Sequence, residues 1–162
     1  MAKLYFSYST MNAGKSTLLL QAAHNYRERG MGVLLLTAAL DERAGAGRIA
    51  SRIGIGAEAE GFAAGDDLFA RIAARAAAGP LACVLVDEAQ FLAPAQVRGL
   101  ARAADELGVP VMCYGLRTDF RGELFPGSAA LLALADSLRE VRTVCWCGRK
   151  ATMVARLGPE GR

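Results

Sequence analysis

Two short stretches carry side chains that could hold and move a phosphoryl group. The first is STMNAGKS at residues 9–16, which sets Gly14, Lys15 and Ser16 between an apolar run and a helical pattern. In a loop of this kind backbone N–H groups face phosphate oxygens, and the helix that follows adds a favourable dipole at its N-terminus. Lys15 would bridge the β- and γ-phosphates of a nucleotide and the Ser16 hydroxyl would ligate Mg²⁺. Gly14 would let the backbone approach closely. The loop consensus starts with Gly, and here that position is Ser9. A chance Gly-Lys-Ser at a helix start is the competing account.

The second stretch is Asp87-Glu88, directly after the apolar run LACVLV at 81–86. A carboxylate at a strand end is where Mg²⁺ of a nucleotide site is held, often through water. Neighbours on a straight strand point to opposite faces, but a turn at the strand end brings both to one place. That permits a division of labour: Asp87 on the metal, Glu88 taking the proton from an attacking hydroxyl. A solvated acidic strand terminus would look the same by itself. The same residues would also serve a P-loop ATPase in which Glu88 activates water, or a nucleotide-binding fragment without turnover.

These residues need a frame of strands alternating with helices. KLYFSY at 3–8 reads as a strand, and a helical pattern follows the loop to about Arg29. Gly30 and Gly32 bracket the turn into VLLL at 33–36. Residues 41–62 are rich in Gly and Arg and read as loop with room for a hairpin. A helix is expected from Asp66 to Ala78, stopped by Gly79-Pro80. The run at 81–86 is continuously apolar, which argues burial on both faces, as in a parallel sheet. From Pro94 to Leu107, Val97, Leu100, Ala101, Ala104 and Leu107 recur at helical spacing, with Pro94 suited to the first turn and Gly108 to the end. VPVMCYG at 109–115 is another buried strand, and a helix is expected near 127–136. The fold class is therefore α/β with a mostly parallel sheet.

Composition narrows the partners. The 162 residues are 53% hydrophobic and 22% charged, the balance of a globular domain. Net charge is only +3 with the signs interspersed, so no basic face for nucleic acid is visible. No apolar stretch approaches the ~20 residues of a membrane span, and MAKLYFSYS lacks the layout of a secretory signal. Four cysteines in such a chain suggest reduced thiols or metal ligands before disulfides, and the cytosol as compartment.

Taken together, STMNAGKS (9–16), Asp41-Glu42-Arg43, DEAQF (87–91), YGLRTDFRGELF (114–125) and CWCGRK (145–150) resemble the type II thymidine kinase family. The pieces lie in the same order and span almost the whole chain, and the YGLRTDFRGELF block is far more specific than any phosphate loop. Ser in place of the first loop Gly is itself usual in that family. The resemblance implies a RecA-like P-loop domain followed by a small zinc-bearing β subdomain, ATP and Mg²⁺ as cofactors, and thymidine, with deoxyuridine, as the acceptor of the γ-phosphate. It implies that Glu88 is the catalytic base. It places ATP against Ser9, Thr10, Met11, Asn12, Ala13, Gly14, Lys15 and Ser16, and against Asp87, Glu88, Ala89 and Gln90. Asp41 and Arg43 match a loop pair near the reacting phosphates. Met11, Phe91, Leu116 and Phe120 match positions lining the thymidine pocket, as suits a flat, weakly polar base. Arg117 and Arg121 are either phosphate ligands or solvated loop charges. A homotetramer is implied by the resemblance alone.

Cys145 and Cys147 look like half of a structural Zn²⁺ site, since a closed site takes four ligands. Cys83 and Cys113 fall in buried strands and read as small core residues, and His24 in the first helix offers no fourth ligand. The division expected is a nucleotide-binding kinase domain at 1–139 and the start of a zinc-binding subdomain at 140–162. The family continues with a segment that clamps the thymine ring and with a second ligand pair. A truncated protein, its Zn²⁺ belonging to the complete chain, is the expectation.

Overall fold

Four apolar segments and two short, partly polar ones make one parallel sheet. In the computed structural model, which describes residues 2–9, 15–38, 48–50, 56–142 and 150, the strands are β1 (Leu4–Ser9), β2 (Val33–Ala38), β5 (Glu60–Phe62), β6 (Cys83–Asp87), β7 (Val111–Leu116) and β8 (Ser137–Glu140). Their order across the sheet is β5-β2-β6-β7-β1-β8, and every neighbouring pair runs parallel. Between β2 and β5 in sequence, β3 (Arg48–Ala50) and β4 (Gly56–Glu58) form a separate antiparallel pair.

The continuous apolar character of the central strands follows from cover on both faces. Along β6, Val84 and Val86 join a core with Leu4, Phe6, Leu36, Val111 and Cys113. Their neighbours Cys83 and Leu85 join a second core on the opposite face with Leu35 and Tyr114. The second face is closed by Leu19, Leu20 and Ala23 of helix α1 (Lys15–Glu28). The first is closed by α2 (Leu68–Ala78), α3 (Pro94–Leu107) and α4 (Pro126–Leu134), through Leu68, Ile72, Val97, Leu100 and Leu131. Burying a side chain the size of Leu or Phe stabilises by about 1.5–3 kcal/mol, so these two layers hold the sheet flat against its helices.

Local signals set the helix ends. The Asp67 carboxylate accepts a hydrogen bond from Ala70 N–H at 3.0 Å, so α2 begins at Leu68 rather than at Asp66. Helix α3 has the expected bounds, with Pro94 in its first turn and Gly108 at φ 66° just after its end. A left-handed residue there is cheap only for glycine. The hairpin allowed within 41–62 is present as β3 and β4, but β5 and β8 were not expected as members of the main sheet. Both are edge strands of a few residues, and their short, partly polar runs, EGF and SLRE, carry little of the apolar pattern that marks a central strand. Cys83 and Cys113 are buried in β6 and β7, as core residues. His24 is exposed on α1 and lies 3.1 Å from Glu28.

Candidate functional site

In an open parallel sheet, ligands bind beyond the carboxyl ends of the strands. At that edge β1 ends in Ser9, β6 in Asp87 and β7 in Leu116, while Lys15 and Ser16 are the first two residues of α1. Ser9 and Leu116 are partners in register, and Arg117 N–H donates to the Ser9 carbonyl at 3.4 Å. Thr37 of β2 lies opposite Asp87 in the same way. Residues 10–14, with Met11, and the pair Asp41 and Arg43 lie outside the described residues, as do Cys145 and Cys147.

Asp87 is only 4% exposed, and it continues the alternation of Cys83 and Leu85 toward the α1 face. Its Oδ1 accepts the N–H of Glu88 at 2.9 Å, which fixes the carboxylate plane against the strand end. Glu88 then departs from the strand at φ 53°, the one non-glycine residue with positive φ among the described residues. A side chain held in the left-handed region costs about 1–3 kcal/mol and persists where the surroundings impose it. The chain thus leaves the straight strand direction directly after Asp87.

Ala89–Phe91 form a single 3-10 turn behind Glu88, closed by Phe91 N–H to Glu88 O at 3.1 Å and Leu92 N–H to Ala89 O at 3.1 Å. The buried Gln90 amide donates to Glu88 Oε2 at 2.5 Å and accepts the N–H of Leu116 at 3.1 Å. Leu116 is held from its other side too, because the fully buried Ser128 hydroxyl donates to its carbonyl. Two glycines make room for this turn. A Cβ on Gly115 would lie 2.9 Å from Gln90 N, and one on Gly127 would lie 2.5 Å from Leu92 O and 2.9 Å from Ala89 O. The structure thus links Ser9, Leu116, Gln90, Glu88 and Asp87 into one continuous set of contacts. Gly115, Gly127 and Ser128 support that set and were missed as site residues. The only sequence signal for the last two is Pro126 at a helix start, which says nothing of what the helix start touches.

The candidate pocket residues are less alike. Leu116 is buried, whereas Phe91 and Phe120 are 42% and 47% exposed. Phe91 packs edge-on against Phe125, ring centres 6.0 Å apart. Phe120 stands in the loop after β7, with the Arg121 guanidinium 5.9 Å from its ring centre. Arg121 also pairs with Asp119 at 2.9 Å and Glu123 at 3.4 Å, as a loop charge does. Arg117 lies 5.7 Å from the centre of the Tyr8 ring.

As a hard oxygen donor, the buried Asp87 carboxylate suits Mg²⁺. The two buried thiols do not suit Zn²⁺, which binds thiolate. Burial pushes Cys83 up to about 11 and Cys113 higher still. Among the described residues no group of three or more His, Cys, Asp or Glu could hold a metal, and no helix is long and apolar enough to cross a membrane.

A family model described as thymidine kinase matches residues 2–162. The chain is 74% identical to a thymidine kinase of Jannaschia sp. (strain CCS1) over 99% of its own length and 83% of that protein. It is 72% identical to a thymidine kinase of Ruegeria pomeroyi, over 100% of this chain and 82% of that one. A thymidine kinase of Pasteurella multocida is 58% identical over 99% of the chain and 84% of its own length.

Proposed function

This chain belongs to the thymidine kinase family, and from that premise we propose that it transfers the γ-phosphate of ATP to the 5′-hydroxyl of thymidine, giving dTMP. Deoxyuridine, which lacks one methyl group, is accepted as well, because a methyl is worth only about 1–3 kcal/mol in a pocket. The observation that carries the reading is the left-handed turn at Glu88. It turns the chain off β6 directly after the buried Asp87, at the sheet edge where β1 also ends, in Ser9.

Glu88 is the general base that takes the proton of the 5′-hydroxyl as the phosphoryl group arrives. Lys15 and the loop from Ser9 to Ser16 hold the phosphates, with Asp87, Glu88, Ala89 and Gln90 closing the nucleotide site. Ser16 and Asp87 would hold Mg²⁺, whose chemistry is to neutralise charge across the β- and γ-phosphates. Asp41 and Arg43 lie near the reacting phosphates, and Met11, Phe91, Leu116 and Phe120 line the base pocket. The exposed aromatic faces of Phe91 and Phe120 support that assignment, since a flat base is held by aromatic surface. Around this core we place a RecA-like kinase domain at 1–139 and a zinc-bearing subdomain from 140, with Cys145 and Cys147 as ligands. The working state is a homotetramer in the cytoplasm with no nucleic-acid partner.

The test is a thymidine kinase assay on the parent and on Glu88→Gln. The substitution is expected to lower kcat about 10²–10⁴-fold with ATP binding retained. Turnover within a few-fold of the parent removes Glu88 from the role of base. ATP hydrolysis that thymidine leaves unchanged overturns the kinase reading itself.

A further inference from the structure

We propose that Gln90 is the positioning residue of the reaction: its amide is locked by the end of β7 in the one orientation that presents a donor to Glu88. The inference rests on Glu88 as base. Leu116 N–H can only donate, so the Gln90 atom that meets it at 3.1 Å is the amide oxygen. The NH₂ group must then face the other way, and there it meets Glu88 Oε2 at 2.5 Å. Flipping the amide would set donor against donor at Leu116 and acceptor against acceptor at Glu88. Gln90 is 3% exposed, so water cannot replace either partner.

The turn that carries this amide is walled on both sides. A Cβ at Gly115 would come within 2.6 Å of Gln90 Oε1, and one at Gly127 within 2.9 Å of Gln90 O. The backbone at Glu88 is already committed to φ 53°. Beyond the backbone lies the long Glu88 side chain, and Gln90 holds one of its carboxylate oxygens. A general base works only within hydrogen-bond reach of the proton it takes. Gln90 acts through Glu88.

Gln90→Glu separates this role from a structural one. It keeps an oxygen for Leu116 N–H but sets a second oxygen against Glu88. In the full-length protein we expect kcat to fall roughly 10–100-fold, the range of a misplaced catalytic group, with KM for thymidine within about threefold. Gln90→Met, of similar length, removes both hydrogen bonds and is expected to lose kcat likewise; it carries the test if the glutamate variant does not fold. In a Glu88→Gln background, adding Gln90→Glu should change the residual kcat by less than about twofold, because coupled residues are not additive. Losses that multiply across the two sites, or a Gln90→Glu enzyme within about threefold of the parent kcat, overturn the inference. If Glu88→Gln itself turns over like the parent, the base is misassigned and the inference falls with it, a result distinct from failure at Gln90 alone.

Discussion

Two loops leave the same edge of the sheet from neighbouring strands, and different contacts shape them. The turn at 87–92, after β6, is held by distant parts of the chain: Gln90 by Leu116, and its backbone by the close approach of Gly115 and Gly127. The loop at 117–125, after β7, also carries a set of contacts within itself. Asp119 accepts from the N–H groups of Arg121 at 2.8 Å and Glu123 at 3.1 Å, its carboxylate pairs with Arg121 at 2.9 Å, and Thr118 bridges Leu124. The first loop buries Asp87 and Gln90, while the second turns Phe120 and Leu124 outward, 47% and 48% exposed. On the proposed reading, the carboxylate that takes the proton sits on the first turn, and the base pocket draws on Phe91 of that turn and Phe120 of the second loop.

The largest way to break this contrast is Gly127→Ala. All three atoms nearest the added methyl are backbone carbonyl oxygens, of Leu92, Ala89 and Gln90, so either α4 or the turn must shift. We expect a loss of about 1–3 kcal/mol in urea unfolding together with reduced kcat. A stable, fully active variant would show that the brace is dispensable. Ser128→Ala should do less: it removes one buried hydrogen bond to the Leu116 carbonyl, worth about 0.5–1.5 kcal/mol by the same measurement. A loss no larger than that of an exposed serine would mean that the end of β7 is held without it.

The smallest effect is expected in the other loop. Asp119→Asn should leave the unfolding midpoint unchanged within error, since the ion pair is solvated and the loop contributes little to global stability. Its signature is in pH instead. The hydrogen bond from Arg121 holds the Asp119 carboxyl below the usual carboxylate range. A lowered value means the loop contacts are fully present above the ordinary Asp range and are lost as pH falls through the folded value. The amide resonances of Arg121 and Glu123 should therefore titrate together with a midpoint below that of a free aspartate. A midpoint at or above the free value would remove the local brace.

The same contrast explains what could be read from the sequence. Helix α3 was legible to the residue because its signals are local: Pro94 in the first turn, a 3.6-residue apolar repeat, Gly108 to stop it. The central strands β1, β2, β6 and β7 were legible because burial on both faces leaves continuous apolar runs. The edge strands β5 and β8 were not, since EGF and SLRE pair on one side only and are not selected for such a run. At the site, Asp87 and Glu88 announced themselves by type and position. That Gln90 spans from Glu88 to Leu116, and that Gly127 lies on the turn, depends on segments some 26 and 37 positions apart in the chain meeting at one edge. No local pattern encodes that meeting.

The position of β1 has a consequence for synthesis. Its partners are β7 and β8, so the segment that carries the fully buried Leu4 and Phe6 has nothing to pair with until residues beyond 111 have been made. At ordinary ribosomal rates of about 5–20 residues per second, that wait lasts roughly 5–20 s. This strand is translated long before it can be placed. A nascent chain with this apolar strand still unpaired is the form in which holdase chaperones would meet the protein.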